Sequence, residues 1–371
     1  MATIGDVARY AGVSRSTVSH ALSGKRTISL ATRERVNEAV RVLNYRANAG
    51  ARALATARTM IVALVVPFTP EEFAPATMQY VLVVTQTARS LGYDVLLVTQ
   101  QEGAEGIARV AESNLVDGVI VLDVKRRDPR VGILSDLRQP GVLIGMPDGE
   151  AAVDCVDLDF GAAGALLVDH LAERGHREVI FLTLPDELFA QGLGYAWRFR
   201  SAVLERAERR GVGLSVVPGV VDPSERAQGL GAALDEHPAA TALLVHNDGA
   251  LVDLPQLLRE RGLETPRDLS VVSIFPEQFG RMFALPYTAI DTGCPAVAAR
   301  AVELLVSRIA EPERPVAREF VDLALVDRGS SRAVEHRDNS GAVEYEGSSG
   351  AVEHRSSSGA VGYRGGSGAV E

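Results

Sequence analysis

One short segment near the N-terminus carries the side chains best suited to chemistry with a partner molecule. On an α-helix, where successive residues turn by about 100°, residues 15–22 would separate into two faces. The polar face would consist of Arg15, Ser16, Ser19 and His20. The apolar face would consist of Val18, Ala21 and Leu22. Donors of the polar kind match base edges and phosphates in DNA. The pattern favours a DNA-reading helix over the alternative, an ordinary solvated face.

The flanking residues predict the elements that must hold this helix. Ser14 can accept hydrogen bonds from the first N–H groups of the helix, and Gly12 permits a tight turn before it. Apolar residues recur at helical spacing on both sides, at Ile4, Val7, Ala8 and Ala11 and again at Val36, Val40 and Leu43. We therefore predict a three-helix unit over residues 1–46 with a helix-turn-helix at its front.

Charge is distributed unevenly along the 371 residues, whose net charge is −10. Residues 1–60 hold ten arginines and lysines against only Asp6, Glu34 and Glu38, which gives +7 and leaves −17 for the remainder. A basic N-terminal piece on an acidic body indicates a domain that binds a polyanion.

Composition excludes several other classes of protein. The only cysteines are Cys155 and Cys294, which excludes a disulfide framework and a cysteine-based zinc site and fits a reducing compartment. The longest apolar run, 60–68, is far shorter than the ~20 residues of a membrane helix, and no apolar signal segment opens the chain. We therefore expect a cytoplasmic protein without a membrane partner.

Residues 59–328 alternate apolar strands with longer helices. The predicted strands are 61–66, 94–98, 118–122, 142–144, 155–158, 179–183, 214–217, 242–245, 269–274 and 288–290. Four of the predicted helices end on a glycine that can adopt the left-handed conformation, namely Gly92, Gly175, Gly211 and Gly262. The number of βα units is larger than one small sheet can hold. We therefore expect two α/β lobes with a ligand cleft between them.

The C-terminal residues 329–371 form a repeat. Variants of Ser-Gly-Ala-Val-Glu recur every nine residues from Ser331 onward. Each unit offers one valine and at most one aromatic residue, which is too little apolar surface to offset the entropy of ordering. We expect a disordered extension, and the alternative, a nine-residue β-helix, would need more apolar positions per turn.

The N-terminal residues match a known pattern. The chain reads Thr3-Ile-Gly-Asp-Val-Ala-Arg-Tyr-Ala-Gly-Val-Ser-Arg-Ser-Thr-Val-Ser-His-Ala-Leu-Ser-Gly, followed by Thr32-Arg-Glu-Arg-Val, Leu43-Asn-Tyr-Arg-Ala-Asn and Ala53-Leu-Ala. This stretch resembles the headpiece of the lactose/galactose repressor (LacI/GalR) family of bacterial transcriptional regulators. The phrase Val156-Asp-Leu-Asp-Phe-Gly-Ala-Ala-Gly resembles the core of the same family.

The resemblance implies a domain organisation. It predicts an all-α helix-turn-helix headpiece over residues 1–46 and a hinge helix over 47–58. It further predicts a two-lobed, periplasmic-binding-protein-like α/β core over 59–328, which would bind an effector and dimerise. The repeat tail, 329–371, is not part of the resemblance.

The resemblance also implies contacts with DNA. The implied residues are Arg15, Ser16 and His20 at bases, Thr3, Thr17, Arg26 and Tyr45 at phosphates or the edge of the site, and Asn48, Arg52 and Leu54 in the hinge. Leu54 falls at the place of an apolar wedge that opens a base step, although a leucine packed in a linker helix is the alternative. Gly50 costs a helix ~1 kcal/mol relative to alanine, so we expect this hinge to fold only on DNA.

Several effector positions of the family have changed in this chain. Phe275 stands where the family often has an aspartate, and Tyr195 stands where it often has an arginine. Losing such polar contacts argues against an ordinary sugar effector. We expect a more apolar pocket formed by Phe73, Tyr195, Trp197, Asn247, Asp248, Phe275 and Glu277. Alternatives are core packing for Trp197, a helix cap for Asp248, and a cleft that has lost its ligand.

Catalysis has little support in the sequence. No G-x-S-x-G, H-E-x-x-H or P-loop motif occurs. Asp154, Asp157 and Asp159 could suggest a metal site, but Asp159 fits the start of a helix better. We expect no enzymatic activity, no cofactor and no metal.

Together these features predict a sequence-specific DNA-binding transcriptional regulator. We expect a repressor that binds double-stranded operator DNA as a homodimer or tetramer under the control of an unknown small-molecule effector. The alternatives are a solute-binding protein, an α/β enzyme, and a regulator of the same family that acts as an activator or has lost its effector.

Overall fold

Three helices form the N-terminal unit, as the sequence predicts. They are α1 (Ile4–Ala11), α2 (Arg15–Ser23) and α3 (Leu30–Val42). The computed structural model describes residues 2–23, 28–45, 58–66, 74–99, 103–280 and 283–334. The predicted hinge before residue 58 and residues 335–371 of the predicted tail lie outside the described residues.

Local sequence signals determine where these helices begin and end. The Thr3 hydroxyl accepts a hydrogen bond from the Asp6 N–H, and the Asp6 carboxylate accepts one from the Thr3 N–H, which is a capping box. Gly12 ends α1 with a φ of 64°, and Ser14 accepts from the Thr17 N–H at 3.0 Å. The helices enclose a core of Val7, Ala8, Ala11, Val18, Val36 and Ala39.

The first α/β lobe contains a six-stranded parallel sheet. Its strands are β1 (Ile61–Val66), β2 (Asp94–Thr99), β3 (Gly118–Val121), β4 (Gly141–Ile144), β5 (Asp154–Leu158) and β11 (Arg318–Val321). Its helices are α4 (Ala74–Ser90), α5 (Gly103–Glu112), α6 (Pro129–Asp136) and α13 (Cys294–Ala310). The strand order is β11-β5-β4-β3-β1-β2. Apolar clusters lie on both faces of the sheet, as buried parallel sheets require.

The second lobe repeats this architecture with one antiparallel edge. Its strands are β6 (Glu178–Leu182), β7 (Gly213–Val217), β8 (Ala242–Val245), β9 (Ser270–Phe275), β10 (Thr288–Asp291) and β12 (Ala324–Val326). Its helices are α7 (Phe160–Glu173), α8 (Asp186–Ala190), α9 (Gly194–Arg210), α10 (Pro223–Glu236), α11 (Asp248–Arg261) and α12 (Glu277–Gly280). The strand order is β12-β10-β9-β8-β6-β7, with β12 antiparallel to β10.

Three connections join the two lobes. The chain passes from β5 to α7, from β10 to α13 and from β11 to β12, and each connection leaves one lobe and enters the other. The two sheets are therefore independent layers joined by short crossings. This confirms the predicted two-lobed α/β core.

The predicted strands are all present, each within one residue of its predicted bounds. The four glycines expected to end helices have φ values between 64° and 84°. The sequence analysis missed β11 and β12. β11 reads Arg-Glu-Phe-Val and alternates exposed with half-buried residues, so this edge strand lacks the continuous apolar run that marks a core strand.

The predicted start of the tail at residue 329 is wrong, because residues 329–334 are packed onto the second lobe. The Ser330 hydroxyl donates to the Val271 carbonyl at 2.5 Å and accepts from the Thr288 N–H at 2.6 Å. The Val334 N–H donates to the Arg174 carbonyl at 2.7 Å. Ser330 is 4% exposed. The folded core thus continues to Val334, although its last residues follow the repeat pattern of the tail.

Candidate DNA-reading surface and effector cleft

The polar face predicted for α2 is the face that the structure leaves open. Arg15, Ser16 and Ser19 are exposed and His20 is half-buried, whereas Val18 is completely buried in the headpiece core. The guanidinium of Arg15 lies along the start of α1, where a Cβ on Gly5 would come within 3.0 Å of it. The glycine therefore gives the Arg15 side chain room to extend beside α1.

The other headpiece residues that are predicted to contact DNA, and that the structure describes, also have structural roles. The Ser14 hydroxyl lies 2.7 Å from the Ser16 hydroxyl and 2.8 Å from the Thr17 hydroxyl, which orders the first turn of α2. Thr3 caps α1. Tyr45 is half-buried against the headpiece core. Thr3, Ser16, Thr17 and Tyr45 are thus held in fixed positions by the fold of the unit itself.

Exposed arginines of the headpiece differ in whether an acid neutralises them. Arg9 pairs with Asp6 at 3.2 Å, and Arg41 pairs with Glu38 at 2.7 Å. Among the described headpiece residues, no ion pair neutralises Arg15, Arg33 or Arg35. The cations left for a polyanion thus lie on α2 and α3. The predicted contacts Arg26, Asn48, Arg52 and Leu54 lie outside the described residues.

A cavity of about 730 Å³ lies at the carboxyl ends of the strands of both lobes. In the first lobe its wall includes Leu122 after β3 and Ile144 at the end of β4. In the second lobe it includes His246 after β8 and Phe275 at the end of β9. This is the position where open α/β sheets bind ligands, and the volume suits a small organic molecule.

Four of the predicted effector residues line this cavity, namely Tyr195, Asn247, Asp248 and Phe275. Trp197 does not, because its indole N–H donates to the Phe189 carbonyl at 3.1 Å and its ring packs edge-on against Phe189. Glu277 also does not, because its side chain is exposed and its N–H donates to Asp291. Phe73 lies outside the described residues.

Two expectations about capping have different outcomes. Asp159 caps α7 by accepting from the Ala162 N–H at 2.9 Å, as predicted. Asp248 is not the cap of α11, because Asn247 takes that role by accepting from the Gly249 N–H at 3.1 Å. The carboxylate of Asp248 is therefore available to the cavity rather than committed to its own helix.

Several cavity residues were missed by the sequence analysis. They are Tyr80, Asp123, Asp157, Phe160, Asp222 and His246. One signal could have found two of them, since Asp123 and His246 follow directly on apolar strands whose carboxyl ends form the cleft. Tyr80 lies within α4, and nothing in its local sequence distinguishes it from a core residue.

Electrostatic conditions in the cleft are set by burial. Burial raises the pKa of Asp248 to about 7 and that of Asp123 to about 6. It lowers the pKa of His246 to about 3, so this imidazole is neutral. Asp123 also has a left-handed backbone with a φ of 52°, which is sparsely populated except by asparagine, aspartate and glycine.

An arginine crosses from one lobe to the other at the edge of the cleft. Arg198 of α9 forms an ion pair with Asp157 of β5 and donates to the Met146 carbonyl at 2.5 Å. Close by, the Gly194 N–H donates to the Val124 carbonyl at 3.0 Å. These contacts join the second lobe to the first without any ligand.

The three aspartates considered for a metal site are separated by their partners. Asp154 binds Arg308 and Arg314 at 2.7 and 2.6 Å, whereas Asp157 binds Arg198 and Asp159 caps α7. In the part of the chain that the structure describes, no cluster of three or more metal-ligating side chains occurs. No helix within these residues is long and apolar enough to cross a membrane.

Comparison with known proteins places this architecture in a family. Residues 3–48 match the profile of bacterial regulatory proteins of the lacI family, and residues 168–331 match a periplasmic binding protein-like domain. The transcriptional regulator CelR of Thermobifida fusca is 31% identical over 326 residues, which cover 85% of this chain and 94% of CelR. The repressor PurR of Haemophilus influenzae (strain PittEE) is 27% identical over 319 residues, covering 85% and 94%.

Solved structures agree with this grouping. A complex of CelR with cellobiose has 27% identity and a TM-score of 0.63, covering 89% of this chain and 100% of that one. The lac repressor dimer bound to operator and the anti-inducer ONPF shares the fold, with 23% identity and a TM-score of 0.74 over 90% and 99% of the two chains. The chain therefore belongs to the lacI family of bacterial regulatory proteins and is a DNA-binding transcriptional regulator.

Proposed function

We propose that this regulator is a homodimeric repressor that binds a near-palindromic operator and is controlled by a small molecule in the cleft. The observation that carries the DNA-binding part is the open face of α2, where Arg15 and Ser16 are exposed while Val18 on the opposite face is buried in the headpiece core. A dimer presents two such helices, so the site should mirror its two-fold symmetry.

Specific contacts follow from the positions on this surface. Arg15, Ser16 and His20 read base edges, and Arg15 can bind guanine with two donors. Thr3, Thr17, Arg26 and Tyr45 hold phosphates or the edge of the site, and Asn48, Arg52 and Leu54 act from the hinge. Leu54 enters the minor groove as a wedge and repays the cost of unstacking by bending the DNA onto more protein.

A second copy of this chain is proposed to cover exposed apolar residues of the core. Met78 and Leu82 lie one turn apart on α4 and are 49% and 57% exposed, and Val252 on α11 is 53% exposed. Isologous interfaces bury apolar patches of this kind. The lac repressor structure, a dimer on operator, supports a dimer as the DNA-binding form.

The effector is proposed to act by changing the angle between the lobes. A ligand in the cleft contacts both lobes, so it favours one arrangement of the contacts around Arg198 and Asp157. That arrangement sets the spacing of the paired hinges and hence of the headpieces. CelR bound to cellobiose supports a small-molecule effector here. We further propose that the protein acts in the cytoplasm, where its operator DNA is, and that it turns over no substrate.

Base reading by α2 can be tested by selecting duplexes from a random pool with full-length wild type, Arg15→Ala and His20→Ala. Each substitution should relax preference at its own base pair and cost ~1–3 kcal/mol against the preferred base. The matched control is Arg41→Ala on α3, where the arginine is already paired with Glu38 and base preference should not change. Unaltered preference in both α2 variants would refute the assignment.

A further inference from the structure

Carboxyl groups are prominent among the polar groups around the cleft. Among the described residues four aspartates line it, and two of them have local partners, since Asp157 pairs with Arg198 and Asp222 accepts from the Ser224 N–H at 2.8 Å. In the described part of the chain, the carboxyl groups of Asp123 and Asp248 have neither a hydrogen-bond partner nor an ion pair. The two lie on opposite lobes, Asp123 after β3 and Asp248 at the start of α11.

Positive charge near these two carboxyl groups is limited to the Arg130 guanidinium, which acts on Asp123 but is paired with Asp128 and donates to the Asp123 backbone carbonyl at 2.7 Å. Among the described residues of the cavity wall the one arginine is Arg226, and its Nε donates to Asp253 at 2.6 Å. The imidazole of His246 is 5% exposed and its Nδ1 has no partner among the described residues. Because burial lowers its pKa to about 3, His246 brings no positive charge.

Aromatic rings form much of the remaining wall. Phe160 and Tyr195 pack against each other with ring centroids 5.3 Å apart, and Tyr80 and Phe275 complete the apolar part. The Phe275 ring already accepts a cation, since the Arg328 guanidinium lies 5.6 Å from its centroid. Aromatic faces attract organic cations and shield their apolar parts from water.

We infer that the cleft binds a small organic cation, an amine or guanidinium on an apolar body, held between Asp123 of one lobe and Asp248 of the other. The inference rests on the proposed effector site and names the chemical class of its ligand. An ammonium or guanidinium group has donors and no acceptor, which complements two carboxylates that lack donors. Because the carboxylates belong to different lobes, a ligand that bridges them couples binding to the angle between the lobes.

A neutral sugar complements this wall less well. Each sugar hydroxyl is both a donor and an acceptor, so a sugar site needs donors as well as carboxylates. Here the guanidinium of Arg198 is committed to Asp157 and the Met146 carbonyl, and Arg226 donates its Nε to Asp253. A neutral sugar would also bring no counterion to the half-buried carboxyl groups of Asp123 and Asp248 when they ionise, whereas a cation does.

The test is calorimetric titration of the full-length protein with agmatine, putrescine and tyramine. The neutral comparison compounds are tyrosol, which replaces the ammonium of tyramine with a hydroxyl, and cellobiose. We expect at least one amine to bind and its affinity to fall about tenfold or more in Asp248→Asn and in Asp123→Asn, as for removal of one charge from a buried pair. The matched control Asp94→Asn changes an exposed carboxylate at the far end of β2 and should leave the affinity unchanged.

Several results would overturn the inference. They are tyrosol binding as tightly as tyramine, binding of cellobiose together with no binding of any amine, no binding by any compound, and an amine affinity that is unchanged in both aspartate variants.

Titration of the same preparations with selected duplex separates this inference from the proposed function. Duplex binding that responds to cellobiose but to no amine would retain the effector site and reject the cation. Amine binding that leaves duplex affinity unchanged would support the cation and reject effector control.

Discussion

Asp248→Asn should stabilise the unliganded protein at pH 8. The carboxyl group has a pKa of about 7 in the folded protein because burial disfavours its charged form, against 3.8 in the unfolded chain. This difference corresponds to about 4 kcal/mol lost from the free energy of unfolding once the group is ionised in both states. Asparagine keeps the shape and an acceptor but carries no charge, so it removes the loss.

The pH window follows from the direction of the shift. A raised folded pKa means that the stability contribution is fully present below pH 3.8 and is lost as pH rises to about 7. The advantage of Asp248→Asn over wild type should therefore be near zero at pH 4 and grow to at most about 4 kcal/mol by pH 8. Asp123→Asn should behave in the same direction with a smaller gain, because the pKa of Asp123 is about 6.

Urea unfolding followed by the fluorescence of Trp197 measures this difference. Trp197 is the only tryptophan of the chain and lies on α9 of the second lobe, the lobe that contains Asp248. The two proteins should be compared at pH 4, 6 and 8 in the absence of amines. An Asp248→Asn protein that is less stable than wild type at pH 8, or whose advantage does not depend on pH, would refute the reasoning.

Three further predictions concern the ends, the lobes and the dimer. Truncation after Val334 should leave urea stability unchanged, whereas truncation after Arg328 should cost ~3 kcal/mol, because it removes the buried hydrogen bonds of the Ser330 segment. Arg198→Met should cost ~3 kcal/mol by leaving Asp157 buried without a cation, and a second change, Asp157→Asn, should restore most of it; equal losses in the single and double variants would contradict this. Leu82→Glu should convert dimer to monomer in sedimentation and weaken duplex binding, and an unchanged sedimentation coefficient would show that α4 is not the interface.

The headpiece was predictable because its structure follows from local signals. The capping residue Thr3, the left-handed Gly12 and the apolar spacing of α1 and α3 all act within a few residues of chain. The same holds for most strands of the two sheets, which are largely apolar runs, and for the glycines that end helices. Burial on both faces gives such strands a clear sequence pattern.

The cleft was only partly predictable because its partners come together from distant parts of the chain. Asp157 and Arg198 are 41 residues apart and meet only after the lobes form. Trp197 looked suitable for a pocket, but the position of α9 turns its indole towards Phe189. Ser330 belongs to a repeat, and only its contacts with Val271 and Thr288 show that it is part of the core. Local sequence contains no signal for such contacts.

The most direct test of the central claim is selection of DNA by the full-length dimer at low ionic strength, followed by titration of the enriched duplex. The account predicts a near-palindromic motif bound at least ~10³-fold more tightly than a scrambled duplex, with affinity that falls steeply as salt rises. Recovery of no motif, with every duplex bound equally at low and at moderate salt, would contradict it.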